Sequence, residues 1–346
     1  MYLCQLRNIE LLDILMKYDI DIKEDEVLAM GHNLLQTLLC DRTTGKNIFW
    51  ATDDYSDRGD GYTFFDIITI ESITGDNGNV IMPRIAKNKE KKKERKRKMA
   101  EVFTPSWLCN KMLGDVDAYL FGREDVFNTK SDMDKEWQPV DAPVCREEDN
   151  ITWDVYVRKT VMEITCGEGP FIVSRYDTVS GRRFDDVNMR VGFLDRKLRL
   201  VTENTHSKEE WMEWVRIAYQ CSFGYEWQGD NLLLARQNLL FTLFDYFEAV
   251  WNEEPPMDFV EEIAYIISWN LWQMDGLKNV IPRSCKTIVE ETTDLFGNVK
   301  RREIPCEGCK KKLIHKHNGI YAQIMDWKTG KPRLFDSLSK DKNKNG

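Results

Sequence analysis

The chain has 346 residues, 42% of them hydrophobic and 11% aromatic, so it can bury a sizeable core, and disorder of the whole chain is excluded. Its net charge of −9 argues against indiscriminate nucleic-acid binding, yet residues 87–98 carry nine Lys or Arg against two Glu, a basic run on an acidic body. No apolar stretch reaches the roughly 20 residues that span a bilayer, no secretory leader is evident at the N-terminus, and nine scattered cysteines form no disulfide framework; a cytosolic protein with reduced thiols is expected.

Residues 1–45 read as helical, because "IELLDILMKYDI" and "EVLAMGHNLLQTLLCDR" space Leu, Ile and Met three and four apart. From 46 to 85 short β-like runs ("NIFWATD", "YTFFDIITIESI", "NVIMPRI") alternate with Gly, Asp and Asn, making 1–85 a mixed α+β region. The basic stretch 86–100 reads as a linker or solvated helix. Residues 125–152 are polar and Pro-containing, and suggest a long loop. From 153 onward apolar helices alternate with short strands: "EWMEWVRIAYQ" runs into "CSFGYEW", and "DFVEEIAYIISWN" into "LWQMD". This alternation predicts an α/β region, a mainly parallel sheet covered by helices. Asp230 is placed to cap the helix "DNLLLARQNLLFTLFDYFEAVW". A C-terminal extension follows from 284 to 346.

The most informative stretch is "VMEITCGEGPF" (161–171). β-formers lead to Thr165, and Gly167 and Gly169 then permit a tight turn that a ligand can approach closely. Taken alone, the pair equally suits a bare strand-to-helix turn. In context the stretch resembles motif I of the S-adenosylmethionine-dependent DNA adenine methyltransferases, matched by Glu163, Cys166, Gly167, Gly169 and Phe171. Three further matches follow the order of that family. "EVFTPSWLCNKM" resembles the segment before the glycine turn through Phe103, Thr104 and Pro105. "FGYEWQGDNLLLARQNLL" resembles motif II, with Glu226 as the carboxylate expected on the cofactor's ribose. "ISWNLWQMDGL" resembles motif III, with Asp275 expected near the adenine. The chain is also similar to the M subunits of type II restriction endonucleases from "DRTTGKNIFWATD" to "YAQIMDWKTG".

The resemblance implies an α/β, Rossmann-like methyltransferase domain over 101–283, with insertions and with helices on both faces of its sheet, S-adenosylmethionine as cofactor and double-stranded DNA as partner. The implied activity is methyl transfer to a base, the adenine exocyclic amine, in a bacterial or phage restriction-modification or mobile-element system. The chain departs from the family in two places: the wide interval from Gly169 to Glu226 makes residues 174–210 an insertion, and the base-gripping motif is missing. The family grips the amine with a polar residue followed by Pro-Pro and an aromatic ring. Here the one Pro-Pro pair lies in "NEEPPMDF", before motif III and without the ring. Three alternatives stand: a partner subunit supplies that element, a divergent loop replaces it, or the chain is a non-catalytic cofactor- or DNA-binding subunit. No catalytic residue is assigned.

Two further clusters carry chemistry. "IPCEGCKKKLIHKHNG" sets Cys306 and Cys309 before His315 and His317, a ligand set for structural zinc, with Cys285 an additional candidate. Lys91, Lys92, Lys93, Arg95, Lys96, Arg97 and Lys98 of the basic run are candidate DNA phosphate contacts, though such runs are often only solvated. Arg175, Arg182, Arg183 and Arg190 offer the same choice between phosphate contact and ordinary surface charge.

Overall fold

The computed structural model describes residues 24–87, 104–130, 135–293 and 299–338. The architecture is mixed α/β, with small sheets and nine α-helices among the described residues. The first two helices, α1 (Glu24–Met30) and α2 (His32–Leu39), bury Val27, Leu34, Leu35, Leu38 and Leu39 on one side. That is the three- and four-residue spacing read from the sequence.

Residues 46–85 depart from expectation, for they form turns, 3-10 helices and isolated bridges (Cys40 with Asn47, Phe49 with Ile67) instead of strands. Carboxylates intercept the backbone amides that a ladder would need. Asp41 takes the N–H groups of Thr43 and Thr44, Asp53 that of Phe64, and Asp66 that of Thr63. The β-formers still bury: Ile48, Trp50, Ile68 and Ile73 are fully enclosed in the main core.

Helix α3 (Ser106–Phe121) follows, with Pro105 as its N-cap and Gly122 (φ 79°) ending it. The segment 125–152 contains the antiparallel pair β1 (Asn128–Lys130) and β2 (Trp137–Pro139). A short helix, α4 (Trp153–Val157), leads to β3 (Val161–Glu163). Next come α5 (Phe193–Asn204), α6 (Lys208–Gln220), β4 (Ser222–Glu226), α7 (Gly229–Trp251), α8 (Met257–Asn270) and β5 (Leu271–Gln273). Strands β3, β4 and β5 form one parallel sheet in that order, with Glu163 opposite Gly224 and Glu226 opposite Gln273. Every connection therefore runs through helices, as parallel pairing requires.

Adjacent residues of a strand face opposite sides. Leu271 joins the helix-covered core, whereas Trp272, with Tyr225 of β4, packs on Ala322, Ile324 and Phe335. Helices were expected on both faces; here the aromatic face of β4 and β5 is met by the C-terminal extension. That extension comprises β6 (Ile288–Thr293) paired with β7 (Val299–Ile304), α9 (Glu307–Lys311), and β8 (Gln323–Asp326) paired with β9 (Lys331–Leu334).

Arg236 pins the N-terminal region to the sheet. It is fully buried, and its guanidinium donates to the carbonyls of Leu38, Cys40 (3.0 Å), Ser268 (3.2 Å) and Leu271 (2.6 Å). Asp230 is not the N-cap of α7, a position held by Gln228. It lies in the first turn of α7, fully buried, accepting from Tyr55 Oη at 2.7 Å and paired with Lys87 Nζ at 3.3 Å. Lys87, read as the head of a solvated run, is thus an interior cation. No helix among the described residues is long and apolar enough to cross a membrane.

Candidate functional site

The three parallel strands all end beside an acidic side chain. Glu163 is the last residue of β3, Glu226 the last of β4, and Asp275 lies two residues beyond β5. In α/β sheets the crevice beyond the carboxyl ends of the strands is where ligands bind.

The chain leaving β3 folds over two of these carboxylates. Thr165, Gly167 and Gly169 take φ of 49°, 56° and 80°, the left-handed region, which costs a residue with a Cβ about 1–2 kcal/mol. Cys166 N–H donates to Tyr225 O at 2.9 Å, locking the turn to β4. Gly167 N–H donates to Glu226 Oε2 at 2.8 Å, and Phe171 N–H to Glu163 Oε2 at 3.2 Å. The other oxygen of Glu226, Oε1, accepts from Gln228 N–H at 3.2 Å. A carboxylate has about four acceptor positions, more than the backbone donors around Glu226 fill.

Burial raises both acids. Glu163 sits well above the usual carboxylate range, chiefly from desolvation and in part from the charge of Glu226, while the amides of Phe171 and Ile172 pull the other way. Burial likewise raises Glu226, against the backbone donors Gly167, Gln228 and Trp227. The Cys166 thiol is pushed far upward by desolvation and by the charges of Glu163 and Glu226, so it is a packing group and not a nucleophile.

Asp275 is both a turn residue and a charged group at the strand ends. Its Oδ1 accepts from Leu277 N–H at 3.0 Å and its Oδ2 pairs with Lys278 Nζ at 3.1 Å. Thr104 and Pro105 precede α3, where Thr104 O accepts from Thr178 Oγ1 at 3.2 Å and Ser106 N–H donates to Asp177 at 2.6 Å. The Cys109 thiol is raised first by burial and then by the charges of Glu163 and Asp177. Phe103 and the basic residues Lys91, Lys92, Lys93, Arg95, Lys96, Arg97 and Lys98 lie outside the described residues.

Of the arginines weighed as phosphate contacts or surface charge, Arg175 and Arg190 are engaged in the interior by a carboxylate, whereas Arg182 and Arg183 lie nearer solvent. Arg175 and Arg190 both clasp Asp245 at 2.7 Å, Arg183 pairs with Asp185 at 3.0 Å, and Arg182 stacks on Phe184. Glu168 sits at a variable position of the glycine motif, and nothing in the pattern marked it. It is buried and holds two other segments at the turn, accepting Arg84 N–H at 2.5 Å and Tyr176 Oη at 2.7 Å.

A second constellation lies in the C-terminal extension. The ligand atoms of Cys285, Cys306, Cys309 and His317 all fall within 4.8 Å of one another, close enough to hold a metal ion. The three sulfurs stand 3.5, 3.6 and 3.6 Å from His317 Nδ1. Zinc bonds of about 2.3 Å to sulfur and 2.0–2.1 Å to nitrogen, at a tetrahedral angle, place sulfur and nitrogen about 3.6 Å apart. His315 lies outside the group, and its Nδ1 meets Asp336 Oδ1 at 2.5 Å. Cys285 is the fourth member of the group.

Backbone packing shapes this group. Gly308 lies where a Cβ would meet the His317 ring at 2.7 Å, and Asn318 N–H donates to Cys306 Sγ at 3.3 Å. Burial disfavours the Cys306 thiolate. The hydrogen bonds from Asn318, Cys309, His317 and Cys285 outweigh it and bring that thiol down to about 6. Burial and the neighbouring thiols push Cys285 up to about 12.

Searches against protein families, curated proteins and solved structures return no match to this chain.

Proposed function

We propose that this chain binds S-adenosylmethionine at the carboxyl ends of β3, β4 and β5, and serves methyl transfer to DNA, to the adenine exocyclic amine. The setting is a restriction-modification or mobile-element system, and the parallel sheet is read as part of a Rossmann-like fold. One observation carries the reading. The glycine turn after β3 closes on Glu226 through the Gly167 amide at 2.8 Å, setting a flexible-backbone turn beside a buried two-oxygen acceptor. A sulfonium donor needs a positioned acceptor amine more than acid–base chemistry, so holding the two together supplies most of the rate.

The residues then divide the work. Gly167 and Gly169 let the methionine part pass close to the backbone, Glu226 receives the ribose hydroxyls, and Asp275 faces the adenine. Thr104 and Pro105 wall the pocket. Cys285, Cys306, Cys309 and His317 hold a structural zinc ion that stiffens the extension behind β4 and β5.

A second reading assigns the chain to a non-catalytic subunit completed by a partner. Its support is that among the described residues β3 pairs only with β4, leaving its other edge open beside exposed Met162 and Ile164, while no Pro-Pro-aromatic element is present.

Calorimetry with S-adenosylmethionine on the wild type and Glu226→Ala tests the cofactor claim: a saturable heat lost in the variant is expected, and silence from the wild type rejects it. Tritiated methyl transfer to unmethylated DNA then separates enzyme from subunit.

A further inference from the structure

We propose that the arm built around Cys285, Cys306, Cys309 and His317 is a phosphate-contacting surface for duplex DNA. The proposal rests on the DNA reading given above and assigns residues that the basic run near residue 95 does not include.

The first argument is charge. Residues 299–317 carry seven Lys or Arg against two Glu, in a chain whose net charge is −9. Arg301, Arg302, Lys310, Lys311, Lys312 and Lys316 are all exposed. Their recorded pairings are weak competitors for a phosphate: Lys311 reaches Glu307 at 3.0 Å, Lys316 reaches it at 3.8 Å, and Arg301 meets Glu291 at 2.7 Å. Such solvated ion pairs contribute about 0–1 kcal/mol, so a polyanion displaces them readily.

The second argument is rigidity. The lysines occupy the turn that carries the metal-ligating side chains. Gly308 N–H donates to Lys316 O at 2.8 Å, Leu313 N–H to Gly308 O at 3.0 Å, and Tyr321 Oη donates to Ile314 O at 3.0 Å while accepting His317 N–H at 2.9 Å. A turn held this way keeps Lys310, Lys311 and Lys312 in place without a bound ligand, which lowers the ordering entropy of binding.

The third argument is position. Asp336 accepts from Asn279 Nδ2 at 3.3 Å and meets His315 Nδ1 at 2.5 Å, tying the arm to the loop that starts at Asp275. Ala322 N–H donates to Asn279 O at 3.0 Å and Ile281 N–H to Ile320 O at 2.8 Å, so the same loop is stitched to the arm along its backbone. The basic surface is therefore anchored to the loop that begins at Asp275, one of the three strand-end carboxylates. Phosphate contacts there would set orientation on the duplex and carry no sequence readout.

The test uses the full chain supplemented with zinc. Anisotropy of a fluorescein-labelled random-sequence duplex is followed across a sodium chloride series for the wild type, for Lys310→Gln/Lys312→Gln, and for Lys91→Gln/Lys92→Gln/Lys93→Gln. Expected is a fall in the salt slope of roughly one per arm lysine removed, and about a tenfold loss of affinity at low salt. Zinc content stays unchanged. An unaltered slope in the arm variant overturns the proposal, as does a wild type that binds no duplex. A loss confined to the Lys91–Lys93 variant, or to single-stranded RNA tested in parallel, overturns it as well. S-adenosylmethionine heats on the same proteins report the cofactor reading separately: normal heats with an unchanged slope reject only the arm, and absent heats with a reduced slope reject only the cofactor.

Discussion

Gly167 and Glu226 are 59 residues apart in the chain and meet at 2.8 Å, the glycine amide donating to the carboxylate. The contact couples the turn after β3 to the end of β4, so the geometry of the proposed cofactor site depends on both.

Removing the acceptor tests that coupling. Glu226→Ala leaves the amides of Gly167 and Gln228 without their buried acceptor, at about 1–3 kcal/mol for each. Glu226→Gln keeps one carbonyl acceptor and retains more of that stability. Urea unfolding should rank wild type above Glu226→Gln above Glu226→Ala, and calorimetry should show both variants losing S-adenosylmethionine affinity.

Gly169→Ala separates backbone strain from packing. Its Cβ would meet Ala235 Cβ at 3.6 Å, an ordinary contact, so the loss comes from φ of 80° alone, about 1–2 kcal/mol. A loss of more than twice that in urea unfolding would mean the turn is packed more tightly than described.

The two histidines of the arm should part company. His317→Ala removes a ligand and should lower zinc content measured by atomic emission, with faster release to a chelator. His315→Ala should leave stoichiometry intact, since His315 lies outside the cluster. Gly308→Ala should behave as a milder His317 variant, because its Cβ would force the imidazole to shift.

Glu24 gives the stability a pH dependence of defined sign. It is buried against Gln237, with Glu24 Oε2 and Gln237 Oε1 both lacking a hydrogen-bond partner among the described residues, and burial raises its carboxyl from 4.5 to about 8. Below pH 4.5 the carboxyl is protonated in both states and there is no penalty. Between 4.5 and about 8 the unfolded chain ionises first, so stability falls, on the order of 4–5 kcal/mol in all. Glu24→Gln should remove that loss, so the difference in unfolding free energy between variant and wild type should grow across this window. Lys197, lowered by burial from 10.5 to about 7, acts oppositely, returning stability between pH 7 and 10.5.

Much of the local architecture was legible. Three- and four-residue apolar spacing placed α1, α2, α7 and α8, and the helix-to-strand alternation anticipated the parallel β3–β4–β5 sheet. Between 46 and 85 the β-rich composition misled, because Asp41, Asp53 and Asp66 divert the amides into turns while the same Ile and Trp residues bury anyway. Lys87 was hidden for a similar reason: in a run of lysines one cation that pairs with a buried carboxylate looks like its neighbours.

By itself, then, the sequence determined what depends on near neighbours: the glycine turn at 167 and 169, the Cys306–Cys309 spacing, and which helices carry an apolar face. Only the tertiary structure decided which groups meet across long intervals. It set Glu226 on Gly167, drew Asp230 to Lys87, and brought Cys285 and His317, not His315, into the group that could hold a metal ion, although Cys285 and His317 are separated by 32 positions. The physical reason is that periodicity reports which side of an element is apolar, whereas a polar pair forms only where packing of whole elements excludes water around both partners.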